Sequence, residues 1–588
     1  MMMPAEPRTT VEILLDRTRR MPDAPLLEAR DGRLWTAVTA EQVWMRVEAV
    51  ARGLMVAGIR RGDRVGIMSR TRPEWLIADF AIQAIGAVTV PLYETSSVEQ
   101  VRHIAQDAGL VSVFVEDDRM AALVEQALPE LWAGARPWVL DTGVLDRLAV
   151  AGGTIAPGSV QDRMRATLPQ DLATIVYTSG TTERPRGVRL SHANLTVHAI
   201  ATAQALPTVV TDGSPRLLLF LPLAHVYARS IALVCIAART TLGLSPSATD
   251  LGRDAGSFRP TFLVAVPRVL EKAYAAAHDA AGSGPRRRVF DWAERIAVSD
   301  SLSRQQPGLA PPSRIRRTTA RLLVLRLVRR HLGGRLDTVI VGGAALHPPI
   351  GHFFRGAGID VLEGYGLTET CAQTTVNRPG QAVIGTVGVP LPGCRVMIDD
   401  ADHVLVAGPH VFAGYEGEPA RAGEWFDTGD LGRIDADGNL VLIGRAKDVL
   451  VTAQGKNVNP GPIEDHIRTH PLVAECVLVG EGRPFVGALV ALDAEALANW
   501  RASRGESPID LAAAADDATV RAWIGETVAE ANATVSRAES VREFTILDRP
   551  LSIAEDHLTP SLKVRRARIL AQFEPVLEEL YARDRAAR

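Results

Sequence analysis

The period of the hydrophobic pattern changes repeatedly along the chain. Asp63-Arg64-Val65-Gly66-Ile67-Met68 is a short apolar run and predicts a strand. From Glu74 to Ile85 the apolar positions recur at helical spacing. Ala87 to Leu92 is apolar again, and Val98 to Ala108 is helical. This βαβα rhythm predicts a mostly parallel sheet with helices on its faces. Further strands are predicted at Val111 to Glu116, Thr174 to Thr178, Thr261 to Ala265 and Thr338 to Val341. No short-period repeat is present. Leu217 to Ala224 and Ile231 to Ala238 are the longest apolar runs; separated by His225 and Arg229, they suit buried strands or a core helix.

Two stretches break the rhythm. Gly282 to Gly334 carries Arg286, Arg287, Arg288, Arg295 and Arg304, then Pro311-Pro312. Seven arginines and no acid follow between Arg314 and Arg330, with Leu322, Leu325 and Val328 at helical spacing. A basic amphipathic helix is predicted. It could touch an anionic membrane surface, or cover a groove with its arginines solvated. From Val406 the chain is turn-rich, and Asp437-Gly438 between apolar runs signals a hairpin. A small mixed region follows Gly444-Arg445 and ends in a predicted helix from Val564 to Ala587. A domain boundary is expected near Ala446, giving units 1–445 and 446–588.

The length of 588 residues requires two or more domains or subdomains at roughly 100–200 residues each. A net charge of -3 argues against a nucleic-acid partner, so any basic site is local. No secretory signal and no run of roughly 18 apolar residues is seen. Cys235, Cys371, Cys394 and Cys476 form no CxxC pair. The expectation is a reducing cytoplasm, structural thiols and no zinc site.

Candidate chemistry begins after the strand at Thr174. Thr178-Ser179-Gly180-Thr181-Thr182-Glu183-Arg184-Pro185-Arg186-Gly187 packs hydroxyls, glycines and cations into one loop. Backbone N–H groups and hydroxyls in such a loop can cradle phosphate oxygens. It is not a Walker loop, and the segment alone leaves a plain polar turn equally open.

The segment resembles the signature YTSGTTGxPKGV of the adenylate-forming superfamily, which includes acyl-CoA synthetases, luciferases and peptide-synthetase adenylation domains. Glu183 stands where that signature has glycine, and Arg186 where it has lysine. The resemblance continues in family order through Leu221-Pro222-Leu223-Ala224-His225, Gly342-Gly343-Ala344-Ala345-Leu346 and Gly364-Tyr365-Gly366-Leu367-Thr368-Glu369-Thr370. It then runs through Trp425 to Gly432, Gly444-Arg445-Ala446-Lys447-Asp448 and Leu558 to Val564.

The resemblance implies an α/β fold: a large N-terminal domain of stacked α/β sheets with a β-rich subdomain, plus a small mobile α+β C-terminal domain. It implies that ATP and Mg²⁺ activate a carboxylic acid as an acyl-adenylate, which passes to coenzyme A. Thr178, Ser179, Gly180, Thr181 and Thr182 would hold the phosphates beside Arg186. Glu369 would ligate Mg²⁺. Thr368 would meet the α-phosphate, Asp430 and Arg445 the ribose, and Tyr365 the adenine, with Gly343, Ala344 and Gly366 alongside. His225, in its own motif, is counted with the catalytic set. Lys563 would promote adenylation. Rotation about Lys447 would then withdraw it and present Gly455 to the thiol.

Pro260 to Lys272, the long segment before Gly342, Leu558-Thr559-Pro560 and Gly455 to Val458 resemble the long-chain fatty acyl-CoA synthetase branch. A fatty acyl-AMP ligase serving an acyl carrier protein, activation of a small aromatic acid or nitrite, and a non-catalytic binding protein are the alternatives. Peripheral membrane contact is a further expectation.

Overall fold

A computed structural model describes residues 6–32, 34–130, 136–156, 158–178, 185–282, 284–306, 308–559 and 564–586. Two large sheets and a four-stranded antiparallel one, built from Arg395–Ile398, His403–Ala407, Phe426–Ile434 and Leu440–Arg445, organise the chain up to Arg445. In the seven-stranded sheet, Arg64–Met68 lies between Val88–Leu92 and Leu110–Val115, all parallel. Leu172–Thr178 continues the sheet beside Val88–Leu92 and turns back antiparallel into Arg186–Ser191. The nine-stranded sheet has parallel neighbours Arg216–Leu219, Phe262–Ala265, Thr338–Val341 and Asp360–Leu367 at its centre. The predicted strands and the helices Pro73–Ala84 and Val98–Ala108 therefore form as read.

Alternation of side chains along each strand explains the layering. Leu217 and Leu219 belong to one core cluster and Leu218 to another. Likewise Val65 and Ile67 face one cluster and Met68 another. The shared cluster lies between the two sheets and is filled by three helices, Pro73–Ala84, His192–Ala205 and Val226–Ala237. Val226 to Ile236 is buried without a break, as required of a helix covered on all sides. This resolves the two apolar runs into a strand, Arg216–Leu219, and a core helix.

The buried charge between the sheets is neutralised locally. Arg229 donates Nε to Asp79 Oδ2 at 2.9 Å and a terminal nitrogen to Asp79 Oδ1 at 2.5 Å, and another nitrogen reaches the Thr174 hydroxyl at 2.5 Å. Such a bidentate pair, fully hydrogen-bonded, is the form in which two charges tolerate burial.

Phe426–Ile434 and Leu440–Arg445 pair antiparallel across Asp437-Gly438, the predicted hairpin. Beyond Leu450 the chain builds its own cores on two faces of the sheet Val473–Val479, Val486–Leu492 and Val541–Ile546. Two expectations need correction. The C-terminal helix is two, Arg566–Gln572 and Glu574–Ala586, and Val564 instead bridges Leu558. The basic helix is also broken: Arg314–Ala320 and Arg326–His331 flank a π-turn at Arg321–Leu325. Among the described side chains its buried positions are Ala320, Val324, Val328 and Leu332, whereas Leu322 faces out; the side chain of Leu325 lies outside the described residues. A four-residue spacing drifts around a straight 3.6-residue helix, and the wider π-turn takes up part of that drift. All four cysteines are buried free thiols. No helix among the described residues is long and apolar enough to cross a membrane.

Candidate active site

In parallel α/β sheets the space beyond the carboxyl ends of the strands is where loops converge and ligands sit. Here the carboxyl ends of both sheets open into one cavity of about 2840 Å³. Arg70, Thr71, Tyr93, Glu94, Tyr177 and Thr178 line it from the seven-stranded sheet. Phe220, Leu221, Val266, Gly342 to Ala344 and Gly366 to Glu369 line it from the nine-stranded one. Such strand ends supply unpaired backbone groups and short side chains at fixed positions.

The loop candidates are split. Thr178 and Arg186 form the last pair of the antiparallel ladder, with the Thr178 hydroxyl 3.5 Å from the Arg186 carbonyl oxygen; Ser179, Gly180, Thr181, Thr182, Glu183 and Arg184 lie outside the described residues. Arg186 lies 3.5 Å over the Tyr415 ring and pairs with Glu418 at 2.6 Å. The Tyr415 hydroxyl donates to Glu369 Oε1 at 2.8 Å. Arg186, Tyr415 and Glu369 thus form one chain of contacts on the cavity wall. Burial, with Glu369 beside it, raises the Tyr415 pKa, so the phenol stays a donor.

Glu369 sits on a single 3-10 turn, Thr368–Thr370. Thr370 Oγ1 accepts from Leu367 N at 2.9 Å and holds the turn closed. The next two residues are strained: Cys371 has φ 59° and Ala372 φ 107°, where L-residues are disfavoured. A side chain at Gly366 would run into the Ala372 carbonyl, and the ladder slips register between Tyr365 and Gly366. The glycine permits the bulge that turns Thr368 and Glu369 into the cavity.

The hairpin supplies the next group. Asp430 and Arg445 are register partners, and Arg445 Nε is 2.9 Å from Asp430 Oδ1. The Tyr365 hydroxyl donates to Asp430 Oδ2 at 2.7 Å. Asp430 is 6% exposed and Tyr365 7%, so neither heads the cavity wall; Arg445, Thr428 and Gly429 do. Lys447 also lines the cavity. Burial and the neighbouring Arg445 lower its pKa, and Asp448, Asp430 and Glu369 pull the other way.

His225 is the N-cap of Val226–Ala237. Its Nδ1 accepts from Tyr227 N at 3.1 Å, which puts the proton of the neutral ring on Nε2. Gly343, at φ 87°, and Ala344 stand on the cavity wall. Gly455 is not brought to the cavity; it turns between Leu450–Val451 and Asn457–Val458. Lys563 lies outside the described residues, but Thr559 and Val564, its nearest described neighbours, both line the cavity.

Sequence reasoning missed several lining residues. Glu94 lies past the end of Val88–Leu92, and burial raises its pKa. Arg70 is held by Glu116 through two contacts, one at 2.8 Å. From the C-terminal region come Glu464, Arg468, Glu475 and Arg566, facing Arg268 and Glu271 on the helix Pro267–Ala281. Burial pushes Glu475 up to about 7 against the pull of Arg468 and Arg268. None of these lies in a contiguous motif, so only pairing across the fold reveals them.

Away from this polar end the same cavity turns apolar. Ala273, Ala277 and Ala281 on Pro267–Ala281 face Phe290, Val324, Val328 and Leu332. The site therefore joins an anion-handling end to a long apolar arm, which defines an adenylating enzyme more closely than a generic nucleotide-binding one.

Comparison with known proteins agrees. The chain belongs to the AMP-binding enzyme family: residues 14–416 match that family and residues 447–585 its C-terminal domain. It is similar to the long-chain-fatty-acid–CoA ligase FadD15 of Mycobacterium bovis, at 41% identity over 97% of each chain. Among solved structures it shares the fold of the adenylation domain of a carboxylate reductase from Mycobacterium chelonae. That match has a TM-score of 0.73 and 21% identity, covering 98% of this chain and 92% of that one. It also shares the fold of o-succinylbenzoate CoA synthetase from Bacillus subtilis in complex with its acyl-adenylate intermediate. There the TM-score is 0.69 and identity 20%, over 95% and 97% of the two chains.

Proposed function

We propose that the chain activates a long-chain fatty acid with ATP and transfers the acyl group to coenzyme A, releasing AMP and pyrophosphate. The observation that carries this reading is the single cavity in which Thr368, Glu369 and Arg445 stand at one end and Phe290, Val324 and Leu332 at the other. At about 2840 Å³ it exceeds the roughly 300–1,000 Å³ of ordinary ligand sites, and a small aromatic or inorganic acid would leave the apolar arm unfilled. The 41% identity to a long-chain-fatty-acid–CoA ligase supports the same substrate class.

In the first half-reaction a carboxylate oxygen attacks the α-phosphorus and the bond to pyrophosphate breaks. The protein's task is positioning and charge neutralisation. Thr178 and the loop that follows would hold the β- and γ-phosphates. Arg186 would exchange its pairing with Glu418 for a phosphate oxygen. Thr368 would hydrogen-bond the α-phosphate. Glu369 offers a carboxylate oriented by Tyr415, a donor that suits Mg²⁺; the bound ion would neutralise phosphate charge. Tyr365 and Arg445 would orient Asp430 to accept from the ribose. In the second half-reaction the thiol sulfur attacks the acyl carbon and the acyl–phosphate bond breaks with AMP as leaving group.

Domain units 1–445 and 446–588, with a hinge at Lys447, are part of the proposal. That Thr559 and Val564 line the cavity while Gly455 lies off it favours reading this arrangement as the adenylating one, with Lys563 delivered from the C-terminal unit. Buried reduced thiols are compatible with a cytoplasmic setting. The test is product analysis with ATP, Mg²⁺ and coenzyme A over acids from acetate to C18, with aryl acids and nitrite. Thioester formed best from long acids is the expected result. AMP release without thioester would move the acceptor to a carrier protein, and activity confined to small acids would overturn the reading.

A further inference from the structure

The first turn of the helix Pro267–Ala281 has no task in the chemistry above, yet it carries charge where the C-terminal region meets the rest of the chain. Arg268 lies 3.5 Å from Glu271, one turn along the same helix, and 3.7 Å from Asp493 in the C-terminal region. The Arg268 side chain is 32% exposed and that of Asp493 26%, so water screens this pair less than a fully solvated one. The two oxygens of Asp493 divide their work. Oδ1 accepts from Glu495 N at 3.0 Å and from Ala496 N at 3.1 Å, capping the helix Ala494–Ser503, and Oδ2 faces Arg268. The cap holds the carboxylate in place before the arginine meets it, so little side-chain freedom is lost in the pairing.

The contact extends over several charges. Arg468, just past the helix Pro460–Ile467, pairs with Asp465 and lies 3.9 Å from Glu475. Across the boundary Glu271 attracts Arg468, and Arg268 attracts Glu475, while Glu271 repels Asp465 and Glu475. Each side thus presents both signs, and the docked register turns Arg268 toward Glu475 and Asp493, and Glu271 toward Arg468. Alternating signs penalise the neighbouring registers, so such a surface selects one placement. A second contact lies on other elements. The rings of His347, at the start of the helix Pro348–Gly356, and His466, on Pro460–Ile467, meet edge to face with centroids 5.5 Å apart. Two contacts on separate helices fix orientation as well as distance.

We infer that Arg268 and Asp493 are positioning residues whose pairing latches the C-terminal region over the cavity in the arrangement seen here, and so favours the adenylating half-reaction over thioester formation. Among the described residues neither pairs with Thr368, Glu369 or Arg445. Their effect runs through the region that carries Thr559 and Val564 to the cavity wall. An interaction made in only one of two arrangements shifts their populations by its full strength. A half-reaction run after the region has moved does not feel it. The inference rests on the reading above that this arrangement is the adenylating one.

The experiment separates the two half-reactions in the full chain. ATP–pyrophosphate exchange with palmitate reads adenylation, and thioester formed from synthetic palmitoyl-adenylate and coenzyme A reads the second step. Arg268→Gln keeps a good helix former and Asp493→Asn keeps the cap, so each removes charge alone. Each is expected to lower exchange about fivefold while the second step holds or rises. The double variant should be no worse than either single one, because both remove the same pairing. Arg268→Lys should stay within about twofold of the parent. The arrangement itself is read without ligand, from spin-label distances between Val150→Cys and Ala502→Cys; both positions are exposed and the four native thiols are buried. One narrow distribution in the parent, broadened by Arg268→Gln and by Asp493→Asn, is expected. Equal losses in both half-reactions, additive losses in the double variant, or exchange and distances that neither variant moves would overturn the latch. Distances that broaden in the variants of a parent that exchanges pyrophosphate with no acid would leave the latch standing and remove the adenylating reading.

Discussion

The two ends of the one cavity are built in different ways. The polar end is made of strand termini: Tyr177-Thr178, Gly342 to Ala344, Thr368-Glu369 and the Asp430–Arg445 hairpin. Each is a short contiguous piece whose backbone is held by a ladder, so a few residues fix both chemistry and place. The apolar arm is made of helices: Ala273 and Ala277 on one, Phe290 on a second, and Val324 and Val328 on a third, with Leu332 in the turn just past its end. Its shape is a sum of many interchangeable side chains at three- and four-residue spacing. Damage at the polar end should therefore be indifferent to the acid, and damage in the arm should depend on its length.

The largest expected effect is at Glu369. Glu369→Gln should lower ATP–pyrophosphate exchange by about 100-fold or more for every acid, the loss of a few kcal/mol of charge stabilisation. Equal activity in the variant would break the comparison at once. Ala277→Phe should cut kcat/KM about tenfold for palmitate and less than about twofold for octanoate, the discrimination expected from filling an apolar pocket. A uniform loss across chain lengths would place Ala277 outside the acyl arm. Asp430→Asn leaves Arg445 without its counter-ion and should raise the KM for ATP about tenfold with little change in the KM for the acid.

Two smaller effects test where the ends meet the rest of the molecule. Glu475 has 17% of its side chain exposed and is pushed up to about 7 by burial, from an ordinary 4.5. An acid held more tightly protonated in the folded state destabilises it as the pH rises between those values. The contribution of this one group to stability should thus fall from pH 5 to pH 7, by at most about 1.4 kcal/mol per pH unit. Arg468, Arg268, Glu271 and Glu464 surround the group. Glu475→Gln should remove that falling contribution, so the difference in stability between variant and parent, read by urea unfolding, should grow in the variant's favour from pH 5 to pH 7. At the polar end, Ala372→Gly relieves a φ of 107° beside Glu369 and should stabilise by about 0.5–1 kcal/mol, after the extra chain entropy of glycine is subtracted. A stability gain with lower activity would show that the strain helps to place Glu369.

Legibility followed the same division. The strands Arg64–Met68, Val88–Leu92 and Thr338–Val341 and the helix Val98–Ala108 were visible because burial imposes a period on side chains. The Asp437-Gly438 hairpin was visible because few residues accept that turn. The basic segment was misread in detail: a uniform helical period places Leu322 inside, whereas the π-turn at Arg321–Leu325 puts it out. The C-terminal helix was read as one because nothing in its sequence marks the break at Phe573, whose buried ring packs on the last sheet.

By itself the sequence determined the order of the elements, the family and the reactive side chains that the family places in short motifs, because those depend on local periodicity and on residues adjacent in the chain. Only the tertiary structure decided that Tyr365 and Arg445 grip Asp430, that Tyr415 joins Arg186 to Glu369, and that three helices enclose an arm opening beside Leu323. Those contacts join residues tens to hundreds of positions apart, and their energies come from burial and pairing that exist only when the two sheets and their helices have closed on one another.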